Sequence, residues 1–158
     1  MNLSDKGKRL LMEWEGFKTE VYLDSAGLKT VGVGHLLIHD ELSLSEVVLD
    51  DGQVVKFENG LTEDQVLLLL ARDVRKFEQV IQDVKVELKQ NEFDALVIFA
   101  FNIGIHAFIR STLLEKLNTG DYKSVPSELR RWNRAGGQVV KGLSNRREKE
   151  IALWSGAI

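Results

Sequence analysis

Residues 15–35 read EGFKTEVYLDSAGLKTVGVGH, and this stretch contains the clearest structural signals in the chain. The pattern before it predicts an amphipathic helix that ends at Glu15, with Gly16 as the stop signal. Residues 21–23 and 29–34 then predict two short strands joined by a tight turn. The sequence therefore predicts a helix followed at once by a β-hairpin.

Two glycines, Gly32 and Gly34, alternate with valines in the second strand. Glycine weakens a strand that is only structural, so this alternation indicates a face that another group approaches closely. Thr30 shares that face, and we expect its hydroxyl to lie on an open strand surface. His35 shares the opposite face with the valines, which predicts an inward-pointing structural histidine with a carboxylate partner.

The remaining sequence predicts a mainly helical protein. Ser4 is the expected cap of the first helix, and residues 47–57 predict a hairpin around an Asp-Gly turn. The expected helices after it cover residues 62–82, 90–103, 109–118, 124–133 and 145–154. We expect an α+β protein, mainly α, with a small antiparallel β lobe over about residues 1–60 and a helical lobe over about residues 61–158.

Composition excludes several classes of protein. At 158 residues, the chain has the length of one domain, and we expect residues 1–158 to form it. Without cysteine there is no disulfide or thiolate metal site. The longest apolar run, residues 95–101, is too short to span a membrane, and the N-terminal residues lack a signal-peptide pattern. His35 and His39 lack the spacing partners of a zinc site, so we expect no metal. We also expect no cofactor, and the short apolar runs predict no stable membrane insertion.

Charge is unevenly distributed along the chain. Residues 1–60 hold 6 basic and 11 acidic residues, whereas residues 110–149 hold 10 basic and 4 acidic ones. The basic stretch predicts a local contact with an anionic polymer, although charges of this kind more often form a solvated face. A nucleic-acid partner is disfavoured because the net charge is −3 and no recognition motif is present.

Glu15, Asp24 and Thr30 are the candidate catalytic residues. The end of a helix dipole favours the protonated carboxyl that a general acid needs, which suits Glu15. The turn around Asp24 favours an ionised carboxylate, and Thr30 adds a hydroxyl that can hold a water molecule. Two carboxyls in unlike surroundings suit glycoside hydrolysis. Among 24 acidic residues, however, the pattern alone fits two unrelated surface carboxylates better.

Longer motifs carry a resemblance to a known family. The residues that carry it are Glu15-Gly16-Phe17, Tyr22-Leu23-Asp24, Gly27, Thr30-Val31-Gly32-Val33-Gly34-His35, Asn91-Glu92-Phe93-Asp94-Ala95-Leu96, Phe101-Asn102-Ile103-Gly104, Gly120-Asp121-Tyr122, Arg131-Trp132 and Gly142-Leu143-Ser144-Asn145-Arg146-Arg147. In this order they resemble the phage-type lysozymes, glycoside hydrolase family 24. Only residues 38–60 lack a match.

The resemblance implies a lysozyme-like fold and a specific activity. Members cleave the β-1,4 bond between N-acetylmuramic acid and N-acetylglucosamine in peptidoglycan, with inversion. Carried over by position, Glu15 is the proton donor, Asp24 the second acidic residue, and Thr30 helps to place the attacking water. Arg146 matches an arginine that pairs with the acid. The remaining supporting positions are Gly32, Gly34, His35 and Asn102, and Asn102 is either a helix cap or a sugar contact.

The expected biological setting is that of a phage or prophage endolysin that lyses its bacterial host. Its partner is bacterial peptidoglycan, and a monomer is expected. Because no signal or anchor pattern is present, we expect the protein to lie in the host cytoplasm and to reach the wall through a separate holin-type pore. The alternative is a secreted antibacterial effector or a catalytically weak, muramidase-like domain that only binds peptidoglycan.

Overall fold

The computed structural model describes residues 1–158, which divide into two compact units. Residues 8–75 form one unit, called here the β unit, and residues 1–7 together with 76–158 form the helical unit. Helices predominate and every sheet is small and antiparallel, so the expected α+β, mainly α class is confirmed. The boundary falls after Arg75 and not near residue 60. That these units make up one domain stays a prediction.

Nine helices and seven strands make up the chain. In order they are α1 (Asp5–Glu15), β1 (Lys18–Leu23), β2 (Lys29–Gly32), β3 (His35–Leu36), α2 (His39–Leu44), β4 (Glu46–Val48), β5 (Val54–Lys56), α3 (Glu63–Asp73), α4 (Arg75–Gln82), α5 (Gln90–Ile103), α6 (Ile105–Ile109), α7 (Thr112–Asn118), α8 (Val125–Arg130), β6 (Arg134–Ala135), β7 (Gln138–Val139) and α9 (Lys141–Trp154). None of the nine helices combines the length and the hydropathy of a membrane span.

The β unit is organised around the antiparallel sheet β1-β2-β3. Tyr22 pairs with Thr30 across the β1-β2 hairpin, and Val31 pairs with His35 across the next turn. The hairpin β4-β5 follows, as the Asp-Gly turn predicts. Helix α3 packs on the sheet and buries Val66 and Leu69. One face of α3, together with buried residues of the strands such as Val31 of β2 and Val47 of β4, therefore contributes to the core of the unit.

Helix α5 forms the core of the helical unit. Its residues from Phe93 to Ala100 are all buried, as expected for a helix that is apolar on nearly every side. Helix α9 packs against it, and Trp132 lies edge-on to Phe99 with ring centroids 5.8 Å apart. Trp154 is also buried, whereas Trp14 and Trp132 are partly exposed.

Several predicted helix boundaries are wrong. The helices expected over residues 109–118 and 124–133 are shorter than predicted, at Thr112–Asn118 and Val125–Arg130. The helix expected over residues 62–82 is divided at Val74 into α3 and α4. The apolar residues before this break belong to the β unit and those after it belong to the helical unit, so the break coincides with the boundary between the two units. The last helix begins at Lys141, since β7 leads into it directly, and Ser144 lies within its first turn.

Candidate active site

Glu15 is the last residue of α1, where the sequence places it. Its side chain is exposed, and Gly16 ends the helix with a φ of 76° that glycine adopts without strain. Only two residues, Gly16 and Phe17, separate Glu15 from Lys18, where the first strand of the sheet begins. The Glu15 carboxyl group therefore lies at the short connection between α1 and β1.

Asp24 lies in the tight turn of the β1-β2 hairpin and is held by backbone donors. Its Oδ1 accepts hydrogen bonds from the backbone N–H of Ala26, at 2.8 Å, and of Leu28, at 2.9 Å. These bonds fix the carboxylate in one orientation, as in other turns closed by an aspartate. Oδ2 is then the oxygen that Asp24 can offer to a water molecule or a substrate.

Thr30 is joined to Asp24 through the peptide groups of Leu28. The Thr30 hydroxyl donates to the Leu28 carbonyl oxygen at 2.9 Å, and the same oxygen accepts from the Asp24 backbone N–H at 2.9 Å. The expectation of an open strand face is wrong here, because Thr30 is only 3% exposed. With its hydrogen committed to a carbonyl, the hydroxyl can offer a ligand only an acceptor oxygen.

The group that approaches the glycine face is part of the chain itself. A Cβ added to Gly32 would lie 3.5 Å from Cγ1 of Val66 and 3.8 Å from Cδ2 of Leu69, both on α3. Gly32 and Gly34 also have φ values of 66° and 64°, in the left-handed region that favours glycine. Their alternation thus allows a helix to pack closely and a turn to form.

His35 has the expected carboxylate partner, and a second one as well. Its Nδ1 lies 2.7 Å from Oδ2 of Asp73, and its Nε2 lies 3.0 Å from Oε2 of Glu41. Burial lowers the pKa of His35, but hydrogen bonds and charge attraction from Asp73 and Glu41 outweigh it, so the pKa is raised. The histidine joins β3 to α2 and α3, which is a structural role.

Asn102 and Arg146 belong to the helical unit. Asn102 is exposed near the end of α5, and its Oδ1 accepts a hydrogen bond from Nη2 of Arg147. Nε of Arg146 lies 3.1 Å from Oε2 of Glu150. The expected pairing of Arg146 with Glu15 stays a prediction.

Sequence reasoning missed the charge network on α9. Arg147 and Glu150 have no exposed surface and Arg146 is only 9% exposed, so describing these arginines as a solvated face is wrong. Nε of Arg147 lies 3.0 Å from Oε1 of Glu150. The signal was present in the sequence, since residues three and four apart on a helix are neighbours and both arginines precede Glu150 at these spacings.

The chain is similar to known proteins over nearly its whole length. The family model described as phage lysozyme matches residues 12–150. The endolysin of Acyrthosiphon pisum secondary endosymbiont phage 1 is 34% identical over 162 residues, which cover 99% of this chain and 100% of that protein. The endolysin of Bacillus phage B103 is 35% identical over 98% of this chain but 54% of its own length, so the chain spans about half of that relative.

The structure agrees with these matches. A solved structure of a P22 lysozyme mutant superposes with a TM-score of 0.81 and 32% sequence identity. The superposition covers 98% of this chain and 99% of the other. Sequence and structure therefore both indicate similarity to phage lysozymes and endolysins.

Proposed function

The chain belongs to the phage lysozyme family, and on that premise we propose that it is an endolysin-type peptidoglycan muramidase. Its reaction is hydrolysis of the β-1,4 bond between N-acetylmuramic acid and N-acetylglucosamine. The observation that carries this proposal is the hydrogen-bonded turn in which Asp24 and Thr30 share the peptide groups of Leu28, in the same unit as Glu15.

Glu15 and Asp24 have distinct proposed roles. Glu15 gives its proton to the glycosidic oxygen as the bond to the anomeric carbon breaks. A water molecule attacks that carbon from the opposite face and passes a proton to Asp24. This is the inverting course, in which carboxyl groups about 6.5–9.5 Å apart leave room for the water. The exposed end of α1 suits proton donation, and the backbone-held carboxylate suits proton acceptance.

Thr30 is proposed to place the attacking water, and its geometry specifies how. Because its hydrogen is directed to the Leu28 carbonyl, Thr30 accepts a hydrogen bond from the water and leaves one water hydrogen for Asp24. Gly32 and Gly34 support the site by allowing the turn, and His35 supports it by fixing β3.

The identity of the new chain end tests this function. Purified peptidoglycan is digested, reduced with borohydride and hydrolysed, and reduced amino sugars are identified. The proposal predicts reduced N-acetylmuramic acid. Reduced N-acetylglucosamine would indicate a glucosaminidase, and fragments without a new reducing end would indicate a lytic transglycosylase. Binding without any cleavage would favour the alternative of a catalytically weak peptidoglycan-binding domain.

Release through a separate pore is the proposed route to the wall. In cells that express the chain alone, culture turbidity should persist until the inner membrane is opened by chloroform or by a co-expressed holin. Lysis that begins without either treatment would overturn this route. Glu15→Gln expressed in the same way is the control, because it separates wall hydrolysis from the toxicity of expression.

A further inference from the structure

We propose that a cavity of the helical unit binds a short peptide that carries a free carboxylate, namely the stem peptide that peptidoglycan bears on N-acetylmuramic acid. The cavity measures about 400 Å³, within the range of about 300–1,000 Å³ that is usual for small-ligand sites. The groups that recognise the peptide all belong to that unit, on Lys89, Asn91, Tyr122, Lys123 and Trp154. The choice of the stem peptide rests on the proposed function, although none of Glu15, Asp24 and Thr30 lines the cavity.

Trp154 supplies this cavity with a hydrogen-bond donor that the chain does not use. The residue is only 7% exposed, and a buried indole N–H usually has a partner. No group of the chain accepts a hydrogen bond from Nε1 of Trp154, yet this nitrogen is not sealed from solvent. Because Trp154 lines the cavity, an acceptor that enters it can satisfy this donor.

Asn91 supplies the same cavity with an acceptor. Its Nδ2 donates to the carbonyl oxygens of Leu153, at 3.2 Å, and of Trp154, at 2.8 Å. These two bonds account for both hydrogens of the amide nitrogen and fix the orientation of the carboxamide, which leaves Oδ1 as its available atom. Asn91 and Trp154 together therefore offer one acceptor and one donor, the complement of the N–H and C=O of a peptide amide group.

Lys89 and Lys123 give the cavity a positive charge. Both side chains are exposed, and neither forms an ion pair. Glu92 is the only acidic residue of the lining, and its Oε2 accepts a hydrogen bond from the Lys89 backbone N–H at 2.8 Å. Two lysines against one glutamate leave the lining with a net charge of +1. This charge favours a ligand with a carboxylate over a neutral or cationic one.

Tyr122 and Trp154 form the apolar wall of the cavity. Their ring centroids lie 6.5 Å apart and the ring planes are inclined by 32°, so the two rings make one continuous surface. The Tyr122 hydroxyl donates to the Glu87 carbonyl oxygen at 2.6 Å, which fixes the position of this ring. A rigid aromatic wall suits the methyl and methylene groups of short aliphatic residues, while the polar groups around it bind the amides and the carboxylate.

Isothermal titration of the protein with a soluble stem tetrapeptide, L-Ala–γ-D-Glu–meso-diaminopimelate–D-Ala, measures this binding directly. We expect saturable binding of the tetrapeptide. The same tetrapeptide with its carboxylates converted to carboxamides should bind at least about tenfold more weakly, because hydrogen bonds to charged groups are the stronger ones. Absence of saturable binding, or equal affinity for the two peptides, would overturn the proposal.

The variant Trp154→Phe removes the indole N–H and keeps an aromatic ring. Its Kd for the tetrapeptide should rise at least about threefold, the effect of losing one hydrogen bond. Trp132→Phe is the matched control, because Trp132 undergoes the same chemical change but does not line the cavity. Its Kd should stay within about twofold of wild type. Circular dichroism verifies that both variants are folded, and an equal Kd for both would refute the role of Trp154.

A titration followed by NMR tests the same contact in the wild-type protein, without any substitution. The chain has three tryptophans, so its indole N–H signals are few. The Trp154 signal should shift with saturation as the tetrapeptide is added, and the Trp132 signal should not. An unmoved Trp154 signal in a protein saturated with peptide, or equal shifts of the two signals, would overturn the proposal.

Charge reversal tests the two lysines of the cavity. The double variant Lys89→Glu, Lys123→Glu should bind the tetrapeptide at least about tenfold more weakly, because it replaces two attractions by two repulsions. The double variant Lys85→Glu, Lys141→Glu is the control, since it changes the net charge equally at exposed positions outside the cavity. Its Kd should stay within about twofold of wild type. Equal losses in the two double variants would show that only net charge matters and would refute the site.

Peptide binding and glycan cleavage can fail separately. The tetrapeptide has no glycosidic bond, so its binding is measured whether or not the protein is a muramidase. A protein that binds the tetrapeptide but releases no reducing ends from peptidoglycan refutes the proposed function and leaves the peptide site standing. A protein that releases reducing ends but does not bind the tetrapeptide refutes only the peptide site.

Discussion

Nδ1 of His35 lies 2.7 Å from Oδ2 of Asp73, and this contact joins β3 to the last residue of α3. Oε2 of Glu41, in α2, lies 3.0 Å from the other ring nitrogen, Nε2. A largely buried imidazole between two carboxylates is stabilised in its charged form, which is why its pKa is raised. The ion pairs therefore stabilise the β unit only while His35 is protonated.

The stability of the protein should depend on pH through His35. Because its folded-state pKa is above the unfolded value of about 6.5, its contribution is complete below that pH and is lost as pH rises through the folded pKa. The difference in unfolding free energy between wild type and His35→Asn should be larger at pH 5.5 than at pH 9. Urea titrations at both pH values measure it. The exposed His39, changed to Asn, is the control, and a difference independent of pH for His35→Asn would contradict the assignment.

Gly32→Ala should destabilise the protein by about 1–2 kcal/mol, the cost of a left-handed conformation for a residue with a Cβ. The φ of Gly32 is 66°, while the nearest atom to the new Cβ, Cγ1 of Val66, stays at an ordinary 3.5 Å. Gly142→Ala, in helix α9 with open space around it, should instead stabilise by up to about 1 kcal/mol. Thermal melts that rank these two variants in the opposite order would refute this explanation of Gly32.

The variant Asp24→Asn should distinguish the role of Asp24 in the hairpin turn from its proposed role as the catalytic base. An amide oxygen can still accept from the backbone N–H groups of Ala26 and Leu28, so the melting temperature should change little. The rate of reducing-end release should fall at least about tenfold, because an amide cannot take a proton from water. Asp24→Ala should lose the turn bonds as well and destabilise by about 1–2 kcal/mol. Undiminished activity in Asp24→Asn would exclude it as the base.

Activity should decline as ionic strength rises above about 0.1 M, where the Debye length is about 10 Å. The decline should be shallow, because part of the basic stretch is already neutralised. Arg130 pairs with Glu148, and both Lys116 and Arg131 pair with Glu128. A rate that rises steadily with salt would show that repulsion by the acidic residues 1–60 dominates wall binding.

Local signals in the sequence were enough to predict most of the fold. The helix end at Glu15, the β1-β2 hairpin and the core helix α5 follow from a glycine stop, a turn motif and continuous apolar residues. The family match confirms the resemblance to phage lysozymes, and with it the expectation of a lysozyme-type glycoside hydrolase.

Features that depend on tertiary packing were not predicted. The break at Val74 falls at the boundary between the two units, and periodicity along the chain does not reveal such a boundary. The prediction that Thr30 lies on an open strand face was wrong, because alternation along a strand does not reveal whether a helix packs on that strand. Arg147 is buried beside Glu150 and Phe99, whereas the many charges in this segment had suggested that it faces solvent.

The rate at which Glu15→Gln releases reducing ends from purified peptidoglycan tests the central claim most directly. Glutamine keeps the shape of the side chain at the end of α1 but has no proton to give to the glycosidic oxygen. The account predicts a rate at least about a hundredfold below wild type, the lower range for loss of a general acid, in a protein that circular dichroism shows to be folded. A folded Glu15→Gln protein that releases reducing ends at the wild-type rate would contradict it.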